Sequence, residues 1–157
     1  MDLEIGMKAP DFSAKTNGDT QINLADFAGK MLVLYFYPKD NTSGCTKEAC
    51  DFRDNMERIT SVGAVVVGVS PDSVKSHNNF VEKFNLNFHL ISDSDKTICN
   101  NYGVLGEKSM YGKKYIGVVR STFLIDGNGE IKYIWKNLKV DGHVDNVIKK
   151  IEEINQL

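Results

Sequence analysis

Two runs of strand length, Met31 to Tyr37 and Ala64 to Ser70, are almost wholly apolar, the pattern of strands buried on both faces rather than one. Between them, from Thr42 to Ile59, Cys45, Ala49, Phe52, Met56 and Ile59 recur at spacings of four, three, four and three, one stripe of an amphipathic helix. Ser70-Pro71-Asp72-Ser73 supplies capping residues and a proline for a second helix through Phe84. Phe88 to Ser92 reads as a shorter strand and Lys96 to Tyr102 as a short helix. Strand, helix, strand, helix, strand in this order implies parallel pairing through right-handed crossovers. A Gly- and Lys-rich stretch follows and is expected to be loop. Ser121 to Ile125 and Glu130 to Trp135 then flank Asp126-Gly127-Asn128-Gly129, a strong hairpin signal, and Val144 to Leu157 closes the chain as an amphipathic helix. Before Met31 the chain is expected to be irregular, with a turn at Asn17-Gly18-Asp19 joining two short arms and a short helix at Leu24 to Phe27.

The elements sum to an α/β fold: a mixed central sheet, part parallel and part antiparallel hairpin, with helices on both faces and an N-terminal extension. This is the thioredoxin-like arrangement. A length of 157 residues predicts one domain spanning 1–157. A net charge of -2 with 25% charged residues leaves no basic surplus for nucleic acid or anionic lipid. The first residues lack the basic flank and apolar segment of a signal peptide, and no apolar stretch approaches a membrane span, so the expected place is cytosolic. In such a reducing compartment three cysteines point to catalytic or redox use, with one thiol left over. His77, His89 and His143 show no metal-ligand spacing with them, so no metal site is expected.

Cys45 falls in the first turn of the Thr42 to Ile59 helix, where unpaired backbone N–H groups and a partial positive charge favour a thiolate. Ionisation alone explains little: at a reference pKa near 8.5 roughly 3% of a thiol is ionised at pH 7, so complete ionisation gains at most about thirtyfold. A fast nucleophile here needs groups that orient its substrate and stabilise a leaving oxyanion. Thr42 can set a hydroxyl beside the sulfur, Pro38 can shield the pocket from water, and Arg120 adds a permanent cation if its strand runs beside Met31 to Tyr37. Cys50 lies nearer the polar side of the helix and is expected to be the more exposed thiol. Glu48 is read as complementing the positive helix end rather than as holding Arg120, and Cys99 as a packed small hydrophobe.

Pro38-x-x-x-Thr42-x-x-Cys45 resembles the peroxiredoxin signature, and Arg120-Ser-Thr-Phe-Leu-Ile-Asp126 is similar to the segment carrying that family's active-site arginine. The likeness runs from Gly6-Met7-Lys8-Ala9-Pro10-Asp11-Phe12 to Lys139-Val140-Asp141-Gly142-His143, and Cys50 five residues after Cys45 looks like the bacterioferritin comigratory protein (PrxQ) subfamily. The resemblance implies a thiol peroxidase. Cys45 would attack a hydroperoxide and become a sulfenic acid, Cys50 would condense with it to a disulfide, and a thioredoxin-type donor would reduce the bridge. It further implies no cofactor and a monomer or weak dimer. Cα atoms five apart on an ideal helix lie roughly 8 to 9 Å from each other, beyond the approximately 7 Å reach of a disulfide, so that bridge requires the helix start to unwind. Two other readings compete: a disulfide exchanger of the same fold, against which stand four intervening residues instead of Cys-x-x-Cys, and a redox-gated binding protein.

Overall fold

A computed structural model describes residues 2–156; Met1 and Leu157, the expected end of the last helix, lie outside the described residues. Ser13–Lys15 (β1) and Gln21–Asn23 (β2) form the expected N-terminal hairpin across a 3-10 turn at Asn17–Asp19, and a second 3-10 turn covers Leu24–Phe27. Met31–Phe36 (β3) follows, then helices Ser43–Asp54 (α1) and Met56–Ser61 (α2), strand Ala64–Ser70 (β4), helix Val74–Phe84 (α3), strand His89–Ser92 (β5) and helix Thr97–Asn101 (α4). Leu105–Met110 (β6), Lys113–Val118 (β7), Ser121–Ile125 (β8), Ile131–Lys136 (β9) and His143–Asn155 (α5) complete the order.

The main sheet runs β5-β4-β3-β8-β9. β3 is central and all six of its residues are buried, as its unbroken apolar sequence predicts. It pairs in parallel with β4, which pairs in parallel with β5, while β8 is antiparallel to β3 and β9 to β8. Alternate residues of β3 feed two cores. Val33 and Tyr35 meet Cys45, Ala49 and Phe52 of α1, Phe80 of α3 and Val147, Ile148 and Ile151 of α5. Leu32, Leu34 and Phe36 meet Ile98, Cys99 and Tyr102 and the N-terminal Phe12 and Ile22. Full burial of each such aliphatic side chain contributes about 1.5–3 kcal/mol, so the strand that precedes Cys45 is firmly held on both faces.

Two expectations need correction. The predicted single helix from Thr42 to Ile59 is two helices, broken at Asn55, whose φ of -108° and ψ of 12° leave the helical region. Asn55 Nδ2 donates to the Asp51 carbonyl at 2.8 Å, the local side-chain bond by which Asn competes with the helical ladder. The stripe still reaches the core on both sides of the break, through Phe52 and Ile59. The expected loop after Tyr102 is instead the antiparallel ribbon of β6 and β7. It stands off the main sheet with Met110, Tyr111, Tyr115 and Ile116 exposed, so neither strand shows the apolar face that marks a strand in a sequence. Its tip, Tyr111-Gly112, has positive φ at both residues, the requirement of a tight hairpin turn.

Candidate active site

Cys45 is the third residue of α1 and 2% exposed. The first intrahelical bond runs from Thr46 N to the Thr42 carbonyl at 2.8 Å, so the amides of residues 43 to 45 have no helical acceptor and their partial positive charge surrounds the sulfur. The antiparallel register of β3 and β8, with Phe36 opposite Ser121, carries Arg120 to the helix start. Arg120 Nη2 donates to Cys45 Sγ at 3.3 Å and Nη1 to Glu48 Oε1 at 2.7 Å. Gly44 leaves room for this reach, since a methyl added there would stand 3.2 Å from Nη2. Burial opposes the charge on Arg120, but Glu48 and Cys45 outweigh it and push its pKa up.

Glu48 corrects the sequence reading, because it does hold Arg120. The helical spacing of three from Cys45 puts both side chains on the inner face, and the carboxylate is fully buried with Oε2 unpartnered. Burial pushes this carboxyl up to about 7 against the pull of Arg120. Thr42 is the residue before the helix, as expected, but its hydroxyl donates to the Lys39 carbonyl at 2.9 Å rather than to the sulfur. Among the described residues no side-chain donor bonds its oxygen, which can still accept. Pro38 forms one wall of a groove on the outer side of Arg120. Cys50 is the more exposed of the two helical thiols, as expected from its place on α1. Cys99 lies in the opposite core, where burial and then a hydrogen bond to the Asp93 carboxylate push its thiol pKa well above the ordinary value.

Sequence reasoning passed over the residues that fix the loop before α1. Asp40 is buried; its Oδ1 accepts from the Tyr37 hydroxyl at 2.5 Å, and its Oδ2 from Ser76 Oγ at 2.8 Å with His77 Nδ1 at 2.7 Å. His77 Nε2 faces the Ile91 carbonyl at 2.9 Å, and Asp40 N donates to Asp72 Oδ2 at 2.8 Å. Asp40, Asp72 and His77 are close enough together to be weighed as metal ligands, but these bonds engage the atoms they would offer. The network ties residues 37 to 40 to α3 and β5, so the loop is rigid up to the residue before Asn41. Asn41 then turns the chain into α1 with a φ of 62°. The signal was present as the Asp40 and His77 residue types, but their meeting depends on helix packing.

His143 at the start of α5 bonds Thr122 Oγ1 through Nε2 at 2.8 Å and packs edge-on against Phe52 and Trp135. Burial, then the charge of Arg120, pushes its pKa down to about 4. A histidine held neutral contributes stability above its unfolded value near 6.5 that is lost as pH falls toward 4, at most about 3 kcal/mol. Glu48 has the opposite slope, losing stability as pH rises from the ordinary carboxylate range through about 7. Urea unfolding from pH 7 to pH 4 checks the first term: the stability difference between wild type and His143→Gln shifts by about 3 kcal/mol in favour of the variant on the acid side. A constant difference would show that His143 is not the acid-sensitive group.

The sequence pattern of the AhpC/TSA family matches residues 5–134. A Coxiella burnetii protein described as a putative peroxiredoxin bcp is 50% identical over 151 residues, 96% of this chain and 100% of its own length. Among solved structures, a mutant of PrxQ from Xylella fastidiosa superposes with a TM-score of 0.93 at 38% identity, covering 99% of each chain. A Xanthomonas campestris bacterioferritin comigratory protein, whose structures address its alkyl peroxide reduction activity, superposes with a TM-score of 0.88 at 42% identity over 96% of each chain. The expected fold is therefore borne out. With Cys45, Arg120 and Glu48 assembled on it, the chain belongs to the peroxiredoxins of the AhpC/TSA family, and within them to the Bcp/PrxQ group.

Proposed function

We propose that the protein reduces hydrogen peroxide and organic hydroperoxides at Cys45, is resolved internally by Cys50 and is returned to the dithiol by a thioredoxin-type donor. The observation that carries this reading is the 3.3 Å contact of Arg120 Nη2 with a cysteine sulfur in the first turn of α1. The sulfur attacks the terminal oxygen of R–O–O–H, the O–O bond breaks as S–O forms, and the departing alkoxide takes a proton to leave as ROH. Arg120 stabilises the thiolate first and the departing oxygen next, with Glu48 holding the guanidinium in place. Thr42 offers its hydroxyl oxygen to the peroxide proton, and Pro38 excludes water from one side. The alkyl peroxide reduction activity ascribed to the Xanthomonas relative supports this substrate class.

Cys50 then attacks the sulfenic sulfur, the S–S bond forms and hydroxide leaves as water. Both thiols sit in the continuous helix α1, with Cα atoms about 8 to 9 Å apart by helix geometry, so the bridge forms only after that turn unwinds. In this reading the chain bends at Asn41 and Thr42, the residues that follow the hydrogen-bonded Asp40. The experiment is turnover of Cys50→Ser with a thioredoxin system. One equivalent of hydroperoxide is still consumed rapidly, while steady-state reduction falls by at least about tenfold because the sulfenic acid lacks its internal partner. Full turnover in that variant would remove Cys50 from the cycle. A single domain acting as a monomer or weak dimer suffices for every step.

A further inference from the structure

The –OOH end of a substrate must reach Cys45, so its organic substituent has to leave past Arg120. A groove of about 450 Å3 opens beside Arg120, with Pro38, Val119 and Leu138 as apolar walls and Lys108, Glu107 and Asn137 as its other polar lining. The β6–β7 ribbon is thinned by glycine to build it. A methyl on Gly106 would stand 2.7 Å from Val119 Cγ2, and one on Gly117 would stand 3.2 Å from Lys108 Cδ and 3.6 Å from Cε. The Lys108 stem thus lies flat across Gly117. Among the described residues no carboxylate comes within ion-pairing distance of its ammonium, and neighbouring Glu107 pairs with Lys114 at 3.3 Å instead. Burial, then the charge of Arg120, pushes the Lys108 pKa down, and only Cys45 pulls it up. A half-buried ammonium beside a second cation, without a counterion, is destabilised until an anion arrives.

We infer that Lys108 is a specificity-determining residue, which selects alkyl hydroperoxides that carry a carboxylate at the far end of the substituent lying in this groove. The inference rests on the peroxidase reading of Cys45. The substituent covers Pro38, Val119 and Leu138 while its carboxylate accepts from Lys108, so the tail orients the peroxide at the sulfur.

The test compares a straight-chain ω-hydroperoxy acid with its methyl ester, using kcat/KM for each and the ratio of acid to ester. In wild type the ratio exceeds one and declines as salt is raised. Lys108→Met keeps the apolar stem over Gly117 and lowers the ratio roughly three- to tenfold, mainly through KM for the acid. Lys108→Glu lowers it further, and Lys108→Arg restores it. A structural or general electrostatic role would slow acid and ester alike, so a ratio unchanged in Lys108→Met overturns the assignment. Wild type that reduces hydrogen peroxide and the ester but shows no preference for the acid sinks this inference alone. Wild type inert to all three compounds sinks the peroxidase reading and this inference together.

Discussion

Cys45→Ser ends hydroperoxide consumption, lowering the rate constant by at least ~10^3-fold, the scale expected when an enzyme loses its nucleophile. No other thiol can take over. Cys50 shares the helix but is turned away from the inner face on which Cys45 meets Arg120, and the Cys99 thiol is buried in the other core, where burial pushes its pKa well up and holds it protonated. The loss therefore does not depend on unfolding, and far-UV circular dichroism of the variant should match wild type. Stopped-flow peroxide consumption checks it. A residual rate within tenfold of wild type would move the chemistry to another residue.

Arg120→Met should slow the first oxidation by about 10^2–10^3-fold, the usual loss when a preorganised donor to a developing oxyanion is removed. The same change leaves Glu48 buried without its cation, and breaking a buried pair costs about 3–5 kcal/mol unless the orphan takes up a proton. Its carboxyl already stands at about 7 with Arg120 present, so without that cation protonation is the expected escape and the destabilisation grows with pH. Adding Glu48→Leu separates the two effects. The double variant regains stability in urea but not rate, because the buried charge is gone and the donor to the sulfur is still missing. Recovery of the rate in the double variant would show that Arg120 acts only through folding.

How far the sequence reached depends on where each signal lies along the chain. The β3 strand, the helix bearing Cys45 and Cys50 and the Asp126 to Gly129 turn were legible because apolar periodicity and turn residues are local signals. Arg120 was legible only conditionally, since its nearness to Cys45 needs the antiparallel pairing of β8 with β3. The Asp40–His77 anchor and the Arg120–Glu48 pair were not, because each depends on how a helix packs against its neighbours. Glu48 also misled: it reads as complementing the positive helix end, but it falls in the second turn of α1, whose first turn holds no acidic residue. The β6–β7 ribbon escaped for a different reason. Its strands pack against little, and Tyr111, 97% exposed at the tip, carries no core signal.

On the proposed mechanism α1 exists in two states, a helix that shapes the peroxide site and an unwound turn that lets Cys50 reach Cys45. Trypsin tests it, because Lys47 separates the two cysteines while Lys39 and Arg53 bound them. Protein treated with one equivalent of hydroperoxide and digested without reductant should yield the 40–47 peptide bridged to the 48–53 peptide. A bridge to the peptide containing Cys99, or a Cys45 sulfenic acid that persists beside a free Cys50, would contradict it.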